Sequence, residues 1–424
     1  MVGNGLVALV GIGALRVYTE LAPQAVYGAA SLVLGALVLG TQIILQPVAH
    51  TQLRYHSEAL AEGRADSFTA EVLRWSLRGA AVLIVCSAIA TGLWSLQDGA
   101  PAALPMFVAT TVWFIVYAIY GAMLSRLHAE QQMLRFMGMR LGEAVLTVVA
   151  TALLLGASLR PESFVFGRGV SHLLVLAVAL LLVPWPVLAL GRRCIRLLTG
   201  RPGGDQRVAQ RFRERLWRYG APFVPLSLLA WFAHTADRYI LAAVLDVEAA
   251  GQYIPVFAIA SAGFIIANGA VGDMFRPALF EAESADDHRG ANRIFLSWLG
   301  SYAAISFVGL GALLFLHEWV ALVTLAEPYR EGAGILMIWI AGGYAISGFT
   351  MAFENRLFSL ERSSSVLAPQ VVGAVANVVL TFTLVQHSGL VGAAQGSCGS
   401  FVLQFIVTAA ILWRALRARR PASA

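Results

Sequence analysis

The chain has 424 residues, of which 58% are hydrophobic and 13% charged, and its mean hydropathy is +0.72. That balance belongs to polytopic membrane proteins and excludes a soluble enzyme. The net charge of +6 comes with basic residues that are all arginine; in so apolar a chain they report first on membrane topology, and nucleic acid is not an expected partner.

Apolar runs bounded by charge, proline and glycine predict twelve membrane spans. They fall at residues 2–18, 25–48, 72–94, 104–124, 138–157, 164–189, 221–245, 250–272, 294–316, 333–353, 366–386 and 390–413. Four glycines dilute the first, which membrane helices tolerate where they pack closely. With both termini in the cytoplasm, 25 of the 30 arginines lie in inner loops or at inner span ends, as the positive-inside rule requires. The exceptions are Arg16, Arg160, Arg168, Arg238 and Arg330. Outer connections are short, the longest being 317–332, and leave no room for an external domain.

This gives a six-span lobe over 1–190, a basic cytoplasmic linker over 191–218, a second six-span lobe over 219–413 and a cytoplasmic tail over 414–424. In the linker, Val208, Phe212, Leu216 and Tyr219 alternate at helical spacing with Arg207, Arg211, Arg215 and Arg218. An amphipathic helix on the inner leaflet has this pattern; an inter-lobe connection obeying the positive-inside rule is the plainer reading. The lobes form a weak internal repeat, with Arg16 followed by Glu20, Pro23, Tyr27 and Gly28, and Arg238 by Glu248, Gly251 and Tyr253. Six-helix repeats are a transporter architecture.

The stretch 221–245 carries His234, Asp237 and Arg238 without a break in its apolar run. A charge at bilayer depth costs about 2.5–3.5 kcal/mol on insertion scales and tends to mark a transport path. The other reading is that Asp237 and Arg238 pair with neighbouring helices or snorkel to the outer surface. Arg168 lies between Gly167 and Gly169, small neighbours that would let a large headgroup approach, with His172 one turn on; an arginine snorkelling at the outer interface fits equally, and Arg16 has the same two readings. Asp237 and Glu143 are the carboxylates placed well inside spans, where burial suits a carboxylate to proton exchange. Arg238 would instead hold Asp237 ionised, and Arg140 and Glu143 have the spacing of a local i,i+3 pair, the plainer reading of those two. His234, three residues before Asp237, is either its proton partner or a packed histidine. Cys86, Cys194 and Cys398 offer neither a disulfide framework nor a metal cluster, so no metal or other cofactor is expected.

Four groups of residues resemble the polysaccharide (O-antigen, Wzx-type) flippases of the multidrug, oligosaccharidyl-lipid and polysaccharide (MOP) exporter superfamily. They are Pro23, Tyr27 and Gly28; Asp237 to Leu241 followed by Gly251 and Tyr253; Pro328 with Tyr329; and Asn377 with the run Gly389 to Ala394. The resemblance implies an all-α, MATE-like transporter whose two six-helix lobes form a V-shaped cavity open alternately to either side. It implies outward movement of an undecaprenyl-pyrophosphate-linked oligosaccharide across the bacterial cytoplasmic membrane for surface polysaccharide synthesis, with no enzymatic step. Arg16, Arg168 and Arg238 would then bind substrate, and Asp237, Glu143 and His234 would couple H+ or Na+. The implied partners are the lipid-linked oligosaccharide, membrane lipids, and the polysaccharide polymerase with other biosynthesis proteins. The alternative is a multidrug exporter of the same superfamily working as a cation antiporter. That would need more acid than base in its cavity, whereas the in-span charges here lean positive.

Overall fold

The computed structural model describes residues 2–96, 103–182 and 206–418, and all regular structure among them is helical. The helices run α1 (Val2–Leu21), α2 (Gln24–Ile44), α3 (Gln46–Ala61), α4 (Ala65–Ser95), α5 (Ala103–Ala129), α6 (Met133–Ala157) and α7 (Glu162–Leu182). After these come α8 (Gln206–Arg215), a π-helical turn (Leu216–Gly220), α9 (Phe223–Val244), α10 (Val247–Ser284), α11 (His288–Thr324) and α12 (Ala333–Ser359). The final helical stretch, Leu367–Ala418, breaks at Gly389 into α13 (367–388) and α14 (390–418).

Nine stretches among the described residues are long and apolar enough to cross a membrane. The last divides at Gly389, whose φ of 56° lies in the left-handed region that glycine adopts without strain. With α1 and α9, of 20 and 22 residues and so about 30 Å long, the described helices supply all twelve predicted spans. The protein is a multi-pass membrane protein.

Several predicted boundaries move. The second span was expected to reach residue 48, but the helix stops at Ile44, and Pro47 opens the polar α3. Proline fits the first turn of a helix, where its missing N–H has no partner to lose. Asp246 and Asp287 cap α10 and α11 by accepting from Ala249 N at 2.7 Å and Gly290 N at 2.9 Å. Because α11 continues to Thr324, the connection expected over 317–332 shrinks to a short 3-10 turn, Glu327–Tyr329. Residues 183–205, which hold the end of the sixth span and most of the linker, and 419–424 of the tail lie outside the described residues.

The chain forms two compact units, one of residues 18–32 and 229–424, the other of 2–17 and 33–228. In the first, Trp298, Tyr302, Leu279, Leu357 and Leu412 form a core between α10, α11, α12 and α14. In the second, Leu37, Leu83, Ala109, Trp113, Phe114 and Val165 pack α2, α4, α5 and α7. Phe307 and Phe315 on α11 are 81% and 88% exposed, as suits side chains facing hydrocarbon.

The linker helix departs from the leaflet reading of its apolar face. Val208, Phe212 and Leu216 are buried against Val48, Ala59, Phe68 and Val72 of α3 and α4. Arg215 bonds Glu58, Arg211 lies 3.4 Å from Glu62, and the Arg215 guanidinium sits 4.4 Å from the centre of the Tyr55 ring. Protein, not lipid, covers the apolar stripe.

Candidate functional site

The unit containing residues 229–424 is organised around a close crossing of α2 and α10. A Cβ on Gly251 would lie 1.9 Å from the Gln24 carbonyl oxygen, and one on Gly28 would lie 2.2 Å from that of Val247. Only glycine permits this approach. The residues singled out around the first and eighth spans therefore pack on one another. Pro328 and Tyr329 close the same corner: Tyr329 Oη donates to Ala22 O at 2.8 Å, Gln24 Nε2 donates to Pro328 O at 2.7 Å, and the Tyr27 and Tyr329 rings meet edge to face. Tyr239 Oη ties α9 in by donating to Leu32 O at 2.6 Å.

Inside this frame lies Asp237, 1% exposed. Its Oδ1 accepts from Arg238 N at 2.9 Å; its Oδ2 accepts from Tyr253 Oη at 2.8 Å and from Ser397 Oγ at 3.2 Å. Ser397 has one hydroxyl proton and also lies 3.2 Å from Asn377 Oδ1, so it divides that proton between two acceptors. Asn377 accepts a bond from Thr381 at 3.1 Å and donates to the Phe232 and Ala233 carbonyls at 2.9 and 3.1 Å. The network joins α9, α10, α13 and α14 around one carboxylate. Hydroxyl donors and a backbone N–H, with no ion pair among the described residues, satisfy this buried acid.

Arg238 turns elsewhere. Its guanidinium lies 4.6 Å from the centre of the Phe257 ring, its Nε is buried without a hydrogen-bond partner, and it forms no ion pair among the described residues. His234 packs between Phe401 and Tyr344, with ring centres at 5.3 and 6.2 Å, and its Nδ1 has no hydrogen-bond partner. No hydrogen bond joins it to Asp237 among the described residues, so the geometry is that of a packed histidine.

The second unit holds its own polar cluster between α5, α6 and α7. Glu143 Oε2 accepts from Tyr120 Oη at 3.1 Å, and its Oε1 lies 3.5 Å from His172 Nε2. His172 Nδ1 is 2.6 Å from the Arg168 carbonyl, which can only accept, so Nδ1 carries a proton and Nε2 can donate to Glu143 only when the ring is a cation. Arg168 is half-buried and forms no ion pair among the described residues. Its glycine neighbours do not make room for a headgroup. A Cβ on Gly167 would lie 2.1 Å from Thr151 Oγ1, and one on Gly169 would meet the Trp113 backbone at 3.9 Å, so both serve helix packing. Arg16 is half-buried near the end of α1.

Tyr253 and Asn377 were visible only as parts of a motif, and Ser397, Thr381 and Tyr120 not at all, since single hydroxyls in apolar helices carry no spacing signal. A third in-span acid was also missed. Glu354 lies one residue past the expected end of its span but inside α12, where it accepts from Gln370 Nε2 at 2.8 Å.

No protein-family model matches the chain, and no curated protein does. Solved structures do. An inward-facing multidrug resistance MATE family transporter of the MOP superfamily superposes with a TM-score of 0.79 at 12% identity, over 99% of this chain and 96% of that one. The lipid II flippase MurJ in an inward closed conformation superposes at 0.73 with 10% identity, over 97% and 87%. A MOP superfamily transporter from Pyrococcus furiosus, described as having reversed binding-pocket polarity, gives 0.60 at 13% identity over 98% and 94%. The chain therefore has the all-helical, MATE-like fold found in transporters of the MOP superfamily.

Proposed function

We propose that this protein is a flippase that moves a lipid-linked oligosaccharide, bearing an undecaprenyl-pyrophosphate, from the cytoplasmic to the outer leaflet of the bacterial inner membrane. The observation that carries the reading is the sign of the uncommitted charge. Asp237 is fully engaged by hydroxyls and a backbone N–H, whereas Arg168 and Arg238, one in each unit, are half-buried in spans without a carboxylate partner among the described residues. Fixed positive charge at depth suits a diphosphate, which arginine binds through paired, charge-assisted hydrogen bonds; it repels the organic cations of a cation antiporter. Arg16 is the third substrate contact in this reading. The likeness to a structure described as a lipid II flippase supports a lipid-linked cargo.

Asp237 and Glu143 are the proposed coupling groups. Glu143 with His172 can exchange a proton across 3.5 Å, and Asp237 can change its donors without losing a salt bridge. The test is glycan export in cells carrying Arg168→Ala or Arg238→Ala. Loss of one charge-assisted bond, roughly 1.5–3 kcal/mol, lowers transport about ten- to a hundredfold at normal protein level. Full export by both variants would remove the anionic-cargo reading and leave the cation exporter.

A further inference from the structure

The outward face of the linker helix carries two exposed arginines, an exposed tryptophan and one exposed carboxylate, Glu214, which accepts from Gln210 Nε2 at 3.0 Å. With Val208, Phe212 and Leu216 buried against α3 and α4, and Arg211 and Arg215 engaged by Glu62 and Glu58, the opposite side presents Arg213, Trp217 and Arg218, all exposed, with Trp217 at 66%. Arg213 and Arg218 have no carboxylate partner among the described residues. Trp217 lies about one helical turn after Arg213, and Trp217 and Arg218 both fall in the π-helical turn Leu216–Gly220. The apolar run of α9 opens at Phe223, six residues beyond Trp217, so Trp217 precedes the start of that span by a short stretch of chain.

We propose that α8 and the turn after it dock on anionic phospholipid headgroups, with Trp217 seated at the interface and Arg213 and Arg218 on lipid phosphates. The surface is complementary in both respects. Tryptophan is enriched at the membrane interface, and arginines near an anionic leaflet each contribute an attraction equivalent to about a fivefold change in binding. Two ion pairs and the buried Phe212 hold the helix to α3 and α4 independently of lipid, so docking adds to a helix that is already placed. This inference does not depend on which cargo is carried.

The test is local hydrogen exchange of the 206–220 amides in the full chain, held in phosphatidylcholine nanodiscs with or without phosphatidylglycerol. Phosphatidylglycerol is expected to slow exchange there at least fivefold, and 1 M salt, whose screening length is about 3 Å, to reverse the effect. The double variant R213Q/R218Q should lose the response, W217A should weaken it, and R289Q/R293Q, which removes exposed charge from α11, should leave it intact. Equal exchange of the parent in both lipids overturns the proposal, as does undiminished protection in R213Q/R218Q. Equal protection by inorganic phosphate in pure phosphatidylcholine also overturns it, by showing a small-anion site instead of a leaflet contact. The parent's lipid and salt responses decide the matter even if a variant fails to fold.

Discussion

Replacing Asp237 by Asn separates a charge-changing role from a packing role, because the structure removes the usual ambiguity of such a variant. The carboxylate forms no ion pair among the described residues, so neutralising it orphans no arginine. Asn keeps one acceptor oxygen. The Tyr253 hydroxyl can turn to accept from the new amide, and all three hydrogen bonds to the side chain lose their charge assistance, about 1 kcal/mol each. Against this, a charge no longer has to be buried, and that penalty is several kcal/mol per ion before compensation. Asp237→Asn is therefore expected to unfold at or above the parent's temperature in detergent. Asp237→Ala leaves the Tyr253 and Ser397 hydroxyls facing a void and is expected to lose about 2–4 kcal/mol. In vesicles containing lipid-linked oligosaccharide, Asp237→Asn should transport slowly and without regard to an imposed proton or sodium gradient. If it folds and still responds to the gradient as the parent does, the coupling role is wrong and the network only builds the helix bundle.

The crossing of α2 and α10 predicts that Gly251→Ala is severe: its Cβ would meet a backbone oxygen at 1.9 Å, and overpacking costs about 1–3 kcal/mol even where side chains can yield, so a large fall in melting temperature is expected and an unchanged one refutes the crossing. Phe212→Ala removes a side chain with no exposure from the linker contact, for about 3–5 kcal/mol, and should make 206–220 the first site of limited proteolysis. His56 on α3 is 1% exposed, and burial, opposed by Glu130 and reinforced by Arg126, holds its pKa below the ordinary 6.5. The folded state thus favours the neutral ring. Stability is full above pH 6.5 and declines as pH falls below it, because the unfolded chain takes up the proton first. His56→Gln should flatten thermal stability over that acid range, and an identical slope in parent and variant would exclude His56 as its source.

What the sequence determined by itself is whatever depends on one helix at a time. Twelve apolar runs of bilayer length cannot hydrogen-bond their backbones in lipid except as helices, so class and span number follow from hydropathy alone. The glycines and prolines at 23, 28, 47, 251 and 389 were legible as special for the same local reason. What they do was decided only in the tertiary structure, because Gly28 and Gly251 lie more than two hundred residues apart and explain each other only when α2 meets α10. The same holds for charge. Next to each other in sequence, Asp237 and Arg238 read as a compensating pair, but neighbours on a helix point about 100° apart. The bundle gives the acid to Tyr253 and Ser397 and the arginine to the face of Phe257. The helical period of the linker showed that one face must be buried; that the buried face would meet α3 and α4, leaving Trp217 and its arginines outward, depended on which other surface needed covering.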